Sequence, residues 1–270
     1  MPEIRLEGAA KYFKVEKRKI MAVKDIDVTI EQGEFVFLIG SSGAGKTTLL
    51  RLLGGDIPPD AGAAKLDGVN MNSFLGAKRF RLRRTFGYVW QEPQLLRKKT
   101  VYENLLVALA ARSSARRLKP DQAIEKALSL VGLSGAQHHY PAELSIGEVR
   151  LVELARALVA SPSVLLLDEL TANLDDDNIW DVMYLLNELN SRGITIIMAT
   201  HASRYVNIMR RRVLTLVDGR LYSDVLSGSY GNSSIKRGMA DDLNKYINRI
   251  RVPSPSLTKP NKADENGADA

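Results

Sequence analysis

The first third of the chain alternates apolar and polar positions as strands do. The segments IRLEG and MAVKDIDVTI show this alternation, and the wholly apolar run from Phe35 to Ile39 follows a turn at residues 31–33. Leucines then recur at helical spacing, which predicts a helix from near Lys46 to the glycine pair at 54–55.

The middle of the chain has the pattern of helices. Thr100 followed by Glu103 is a capping box, in which each side chain accepts a hydrogen bond from the other residue's backbone N–H, and it precedes the apolar segment NLLVALAAR. Pro120 opens a further helix that should stop at Gly132, because proline is tolerated in a first turn and glycine ends helices.

The last third alternates apolar strands with helices. The strands VLLLD, ITIIMAT and VLTLVDG are apolar nearly throughout, and a long helix through Trp180 to Leu189 separates the first two. Strands of this kind are typical of parallel sheets that helices cover on both faces. The sequence therefore predicts an α/β fold.

Residues 143–158, ELSIGEVRLVELARAL, allow two interpretations. Ser145 and Glu148 form a second capping box, with apolar residues behind it at helical spacing, and this alone explains the segment as a helix start. The same Ser145 and Gly147 resemble a damaged phosphate-binding signature, with Ile146 between them. The pattern by itself leaves both open.

The composition changes after residue 228. We interpret residues 229–270 as a basic amphipathic helix followed by a disordered tail, since residues 253–270 are polar and contain proline. The apolar face of this helix consists of Ile235, Met239, Leu243, Tyr246, Ile247 and Ile250. It could dock on its own domain, which we favour, bind a partner, or lie on anionic lipid.

Composition and charge exclude several classes of protein. The 270 residues contain no cysteine, so disulfides, thiolate metal sites and cysteine nucleophiles are excluded. No apolar run approaches the roughly 20 residues that cross a bilayer, and no signal peptide is expected. The net charge is +7, and the basic residues form clusters that lack the interleaved aromatic platforms of single-strand binders. We therefore interpret these clusters as solvated faces and expect no nucleic-acid partner.

Residues 40–47, GSSGAGKT, fit the phosphate-loop pattern between a predicted strand and a predicted helix. Glycines let backbone N–H groups surround phosphate oxygens, and the helix N-terminus favours negative charge. Lys46 can reach the β- and γ-phosphates, and the Thr47 hydroxyl can bind Mg²⁺. The predicted phosphate-binding residues are Gly40, Ser41, Ser42, Gly43, Ala44, Gly45, Lys46, Thr47 and Thr48.

Acidic residues and a histidine follow two buried strands. Asp168 ends one strand and is placed to hold the Mg²⁺ shell, while Glu169 is placed to deprotonate an attacking water. His201 follows the strand ITIIMAT, whose end should lie at the same sheet edge, so we predict that it contacts the γ-phosphate.

Six motifs in order resemble the nucleotide-binding subunits of ABC ATPases. These are GSSGAGKT, YVWQEP, LSIGE, LLLDE, NLD and ATH, and the resemblance covers roughly residues 4 to 222. It implies a P-loop NTPase (RecA-like) core with an antiparallel β subdomain and an α-helical subdomain at about residues 92–158, within a domain spanning 1–228. It also implies a head-to-tail homodimer that encloses ATP and Mg²⁺ between one subunit's phosphate loop and the other's signature segment.

The resemblance implies further site residues. Gln91 would contact Mg²⁺ and the attacking water, and Asn173 to Asp175 would cross the dimer interface. Phe13, with Tyr12 as the alternative, would stack on adenine, unless both belong to the core. The implied catalytic residues are Glu169, His201 and Gln91, the implied metal ligands are Thr47, Gln91 and Asp168, and the implied trans contacts are Ser145, Gly147 and Asp175.

Two residues depart from the family pattern. Leu170 stands where members usually have proline, which removes a fixed φ but no catalytic group. Ile146 stands where the signature has its first glycine, and a β-branched residue resists backbone conformations and close approaches that glycine allows. Our hypothesis is that Ile146 weakens closure around ATP and slows turnover.

Stretches such as LLRKKTVYENLLVAL and RRVLTLVDGRL are most similar to the FtsE branch, the cell-division ATPases. This resemblance implies an FtsX-like integral membrane partner and a peripheral location on the cytoplasmic face of the cell membrane. One alternative is the ATPase subunit of a lipoprotein-releasing or macrolide exporter. Another is a nucleotide-gated scaffold that barely hydrolyses ATP.

Overall fold

The computed structural model describes residues 3–16, 18–73, 82, 84–110 and 119–228. The predicted helix and tail at 229–270 lie outside these residues. Ten strands are described: β1 Ile4–Val15, β2 Arg18–Ile30, β3 Phe35–Ile39, β4 Ala61–Leu66, β5 Val69–Asn70, β6 Phe86–Val89, β7 Val164–Asp168, β8 Thr195–Ala199, β9 Arg212–Val217 and β10 Arg220–Val225.

The described α-helices are α1 Lys46–Leu53, α2 Val101–Ala110, α3 Pro120–Leu130, α4 Ile146–Val159, α5 Asp176–Ser191 and α6 Ser203–Met209. Short 3-10 helices occur at Met71–Ser73, Ala136–His138 and Pro141–Glu143. Among the helices in the described ranges, none combines the length and apolar character that a membrane span requires.

The larger of the two described sheets, called the central sheet below, has six strands in the order β10-β9-β3-β8-β7-β6. Only the β10–β9 pairing in this sheet is antiparallel. Leu38 on β3 and Asp168 on β7 both lie opposite Ala199 on β8, so these three strands end at the same edge. The predicted α/β fold with a mainly parallel sheet is confirmed.

A second sheet, with the order β2-β1-β4-β5, is antiparallel throughout. Its buried side chains, such as Ile4 and Ile26, join those of α1 and the central sheet in one hydrophobic core. In the β1–β2 ladder Lys11 lies opposite Val23 and Tyr12 opposite Met21, which leaves Ala22 as the extra residue of a bulge.

The region between β6 and β7 is helical in its described part. The capping box before α2 is present, because Thr100 N donates to Glu103 Oε2 at 2.9 Å and Glu103 N donates to Thr100 Oγ1 at 3.2 Å. Helix α4 packs on α2, α3 and β6, so it joins the helical region to the central sheet. The capping box at its start is also present, with Ser145 as the N-cap.

Candidate functional site

The phosphate loop occupies residues 40–45 between β3 and α1. Gly45 has φ +101°, and a Cβ there would lie 2.3 Å from the Ala22 carbonyl oxygen. A Cβ on Gly40 would lie 2.3 Å from the Leu216 carbonyl oxygen. Backbone from two other strands therefore closes on the loop so tightly that only glycine fits at both positions.

Lys46 lies buried at the first turn of α1 and points back across the loop. Its Nζ donates to the carbonyl oxygens of Gly40 at 2.9 Å and Ser41 at 3.2 Å. The same Nζ is 3.0 Å from His201 Nε2. Burial lowers the pKa of Lys46, and the nearby carboxylates of Glu169 and Asp168 oppose that change.

Asp168 is the last residue of β7 and is only 1% exposed. The side chain of Thr47 hydrogen-bonds to it, but Asp168 Oδ2 has no hydrogen-bond partner within the described residues. Burial raises the pKa of Asp168 in spite of the Thr47 hydrogen bond and the positive charge of Lys46.

Glu169 follows Asp168 in a left-handed backbone conformation with φ +52°, which is uncommon for residues other than glycine. Its N–H donates to the Ala199 carbonyl at 3.0 Å, and its Oε1 lies 3.3 Å from His201 Nε2. Burial raises its pKa, and the nearby His201 and Lys46 oppose that rise. Strained residues of this kind concentrate at functional sites.

A cavity of about 460 Å³ brings most of the predicted residues together. From the phosphate loop and α1 it is lined by Ser42, Gly43, Gly45, Lys46, Thr47 and Thr48, and from elsewhere by Ala22, Gln91, Asp168, Glu169, Ala172 and His201. The Ala44 side chain is instead buried in the core, so this residue can offer a ligand only its backbone.

Magnesium fits the oxygen atoms at the base of this cavity. The Thr47 hydroxyl and the unpartnered Asp168 Oδ2 are hard oxygen donors of the kind that Mg²⁺ prefers. No group of three His, Cys, Asp or Glu side chains that could hold a metal occurs in the part of the chain that the structure describes. A cation at Thr47 and Asp168 would therefore need phosphate oxygens or water to complete its ligands.

The predicted trans residues lie outside this cavity. Ser145 Oγ donates to Glu148 Oε2 at 2.7 Å and accepts from Glu148 N at 3.2 Å. Ile146 beside it is 64% exposed, and Asp175 caps α5 by accepting from Asn178 N at 2.8 Å. A Cβ on Gly147 would lie 3.3 Å from Leu174, so the signature and the 173–175 segment are neighbours within one chain.

The two candidate adenine-stacking aromatics differ in their surroundings. Lys19 Nζ lies 3.1 Å from the ring centroid of Tyr12, which covers one face of that ring. Phe13 is 41% exposed and lies opposite Ile20, which is also exposed, so it is not a core side chain. This arrangement favours Phe13, although neither aromatic lines the cavity and the stacking role stays a prediction.

The sequence did not indicate two groups of residues at the site. Ala22 reaches the cavity through a bulge, which depends on pairing between distant strands and leaves no local signal. Arg150 and Glu153 on α4 hold the backbone next to Gln91. A charge on a helix usually signals exposure, so their burial could not be predicted.

A glycine loop ending in Lys46 and Thr47, with Asp168 at the end of a parallel strand, defines a P-loop nucleoside triphosphatase. A family model described as ABC transporter matches residues 23–172. The chain therefore belongs to the ABC transporter family, and it is an ATPase.

Individual relatives agree with this family. The chain is 41% identical over 210 residues to the cell division ATP-binding protein FtsE of Streptococcus pneumoniae serotype 2, covering 78% of this chain and 91% of that protein. It is 42% identical over 228 residues to the FtsE of Mycobacterium tuberculosis, covering 84% and 98%. The methionine import ATP-binding protein MetN 2 of Rhodococcus jostii is 37% identical over 221 residues, covering 82% and 65%.

Among solved structures, the chain resembles a dimeric ATP-binding cassette in a post-hydrolysis state bound to ADP and Pi. The TM-score is 0.76 at 27% sequence identity, covering 84% of this chain and all of that one. The predicted P-loop core and family membership are thus confirmed, as is the similarity to FtsE proteins.

The buried Asp168 predicts a trade-off between stability and ligand binding. Burial raises the pKa of Asp168 above the ordinary value of 3.8 and so favours the protonated carboxyl in the folded state. The stability that this protonated form gives is fully present below pH 3.8 and is lost as the pH rises through the raised pKa. Above the raised pKa the ionised carboxylate therefore destabilises the fold. We expect Asp168→Asn to raise the Tm without nucleotide by about 2–4 °C, the change that about 1 kcal/mol produces in a chain of this size.

Differential scanning calorimetry measures this effect. Asp168→Asn should also lose most of the additional stabilisation that Mg²⁺ with ATP gives the wild type. Asp218→Asn, at an exposed turn, is the matched control and should leave both quantities unchanged. A lower Tm for Asp168→Asn at neutral pH would contradict the assignment of a buried, destabilising charge.

Proposed function

We propose that this chain is the ATP-hydrolysing subunit of an FtsEX-type complex. In this proposal, closure of an ATP-bound homodimer sends a signal through an FtsX-like membrane protein to cell-wall hydrolases during division, from the cytoplasmic face of the membrane. The relatives named as cell division ATP-binding proteins support this branch, because the chain covers 91% and 98% of their lengths.

The contact between Glu169 and His201 beside Lys46 carries the hydrolytic part of the proposal. Glu169 accepts the proton of the attacking water, and its raised pKa makes it a stronger base than an exposed carboxylate. His201 Nε2 lies 3.3 Å from Glu169 Oε1, at the same sheet edge, and His201 contacts the γ-phosphate. Gln91, which also lines the cavity, helps to hold the water.

Lys46 and the loop backbone bind the β- and γ-phosphates, and this replaces the carbonyl contacts that Lys46 makes with Gly40 and Ser41. Thr47 and Asp168 would hold Mg²⁺, which neutralises charge that develops on the phosphate oxygens. The aromatic ring of Phe13 stacks on adenine. Ser145, Gly147 and Asp175 of a second copy contact the γ-phosphate side.

Replacement of the base distinguishes an ATP-hydrolysing enzyme from a scaffold that barely hydrolyses ATP. The exposed Ile146 in the signature is the observation that favours the scaffold. Glu169→Gln should reduce kcat by about 10³-fold, within the range for loss of a general base. ATP binding should persist, because the phosphate loop is unchanged. Phosphate release and equilibrium ATP binding measure the two quantities.

Glu188→Gln, which alters an exposed ion pair on α5, is the matched control and should retain full turnover. If wild-type phosphate release is negligible and Glu169→Gln leaves it the same, Glu169 is not the base and the scaffold interpretation gains support.

Ile146 offers a second test. It adopts a helical conformation as the first residue of α4, so the backbone there does not require glycine. Any obstruction must come from the exposed side chain. We expect Ile146→Gly and Ile146→Ala both to increase kcat by about fivefold, which corresponds to about 1 kcal/mol. Steady-state hydrolysis with the membrane partner present measures this, and unchanged rates in both variants would refute the hypothesis.

The membrane partner is tested by co-purification. The chain and an FtsX-like membrane protein, expressed together, should co-elute in detergent. Glu169→Gln with ATP should strengthen the association because hydrolysis no longer reopens the dimer. A lipoprotein-releasing or macrolide-exporting permease serves as the comparison. Co-elution with that permease instead of the FtsX-like protein would overturn the assignment to the FtsE branch.

A further inference from the structure

Helix α4 carries a pair of buried, oppositely charged side chains. Arg150 NH1 lies 3.0 Å from Glu153 Oε2, and the side chains are 3% and 0% exposed. Removing both charges from water is costly, and such a pair is tolerated only where further hydrogen bonds satisfy its remaining atoms. The destination of those hydrogen bonds therefore indicates what the pair is for.

The pair directs its hydrogen bonds at the Gln91 segment, which comprises residues 90–94. Arg150 donates to the backbone carbonyl of Trp90 at 2.6 Å and also to that of Gln91. Glu153 Oε1 accepts from the backbone N–H of Gln94 at 2.6 Å. The segment is thus bound at both ends by one helix.

Arg156 completes this arrangement one turn further along α4. Its guanidinium lies 3.6 Å from Glu153 Oε1 and donates to the Gln94 carbonyl. Both backbone groups of Gln94 are therefore held by α4, through Glu153 and Arg156. The Gln91 segment forms no helix or strand of its own, so these side chains supply the order that regular structure would otherwise give.

The position of the segment matters because Gln91 lines the cavity. A guanidinium group is a rigid planar fork, so two donations to successive carbonyls fix both the place and the orientation of the peptide between Trp90 and Gln91. The positive charge of Arg150 also slightly opposes the rise in the pKa of Asp168, which places Arg150 electrostatically close to the cavity.

The same helix begins at the signature. Ser145 caps α4, and Arg150 follows five residues later, about 7.5 Å along the helix axis. A helix of this length moves as a rigid body over such a distance. A displacement at Ser145 or Gly147 is therefore transmitted to the carbonyl of Gln91 in the same chain.

We infer that Arg150 and Glu153 are positioning residues, which fix Gln91 at the cavity and tie it to the signature end of α4. They act on the reaction through Gln91 and touch no reacting atom. The catalytic consequence rests on the proposed role of Gln91, whereas the positioning of the segment does not.

Trp90 reports directly on the position of the segment. The chain has two tryptophans, Trp90 and Trp180, so Trp180→Phe leaves Trp90 as the single fluorophore. The Trp90 ring stacks on Tyr88 at 5.2 Å between centroids, and the guanidinium of Arg51 lies 5.3 Å from it. Release of the segment would expose this ring to solvent, which acrylamide quenching detects.

The test introduces Arg150→Lys into the Trp180→Phe background. Lysine keeps the charge near Asp168 but loses the two-pronged donation, so the segment should loosen. We expect kcat to fall by about 10²-fold, the effect of a misplacement of about 1 Å. Acrylamide quenching of Trp90 should increase by about twofold, and the Kd for ATP should change by less than about threefold, because Lys46 and its loop are untouched.

Glu153→Gln is the second variant, since it keeps an oxygen to accept from Gln94 but removes the charge that holds Arg150. It should lower kcat and increase Trp90 quenching to a smaller extent. If Arg150→Lys does not fold, Glu153→Gln tests the inference by the same measurements. Glu188→Gln, on the exposed ion pair of α5, should leave kcat and quenching unchanged.

Two results would overturn the inference. In one, kcat and Trp90 quenching both stay at their reference values in a folded variant. In the other, kcat falls while quenching is unchanged, because Arg150 would then act by another route than the segment. Gln91→Ala separates the two proposals: unchanged turnover in that variant refutes the role of Gln91, while the quenching of Trp90 still tests the positioning.

Discussion

The common register of three parallel strands is the constraint on which the rest of the structure depends. Leu38 and Asp168 both lie opposite Ala199, so β3, β7 and β8 end at one edge, and the segments that follow them meet there. The phosphate loop follows the first, Glu169 the second and His201 the third. A shift of one residue in β7 would turn its side chains to the other face and separate Asp168 from Thr47.

Charged side chains are concentrated at this edge of the sheet, and they do not stabilise the fold. Lys46, Asp168 and Glu169 are each shielded from solvent. Burial lowers the pKa of Lys46 and raises the pKa of both carboxyl groups, so it favours the neutral form of each. The attraction between Lys46 and the two carboxylates only partly offsets the desolvation. The site is therefore prepared for a ligand that brings both negative phosphate and positive metal, since only such a ligand pairs all three groups.

The sequence predicted the parts of this site that depend on local pattern or on strand order. The phosphate loop and both capping boxes are local sequence patterns. The placement of Asp168 and His201 at one cavity follows from the rule that parallel strands end at one edge. The parts it could not predict depend on tertiary packing. A bulge between β1 and β2 places Ala22 at the cavity. From the sequence, Arg150 and Glu153 have the spacing of an ordinary exposed ion pair, and only the packing of α4 on β6 buries them.

The capping box at Ser145 has an energetic consequence for dimer closure. A hydroxyl has a single proton, and Ser145 donates it to Glu148 Oε2 while accepting from Glu148 N. In the proposed closed dimer, Ser145 would have to give up the first of these bonds to donate to phosphate, and the Glu148 carboxylate beside it would repel the incoming negative charge. Ile146 adds an exposed side chain at the same place. Under the proposed function, closure would thus be opposed at the N-terminus of the helix that holds Gln91, and the inferred role of Arg150 and Glu153 would couple closure to the position of Gln91 through α4.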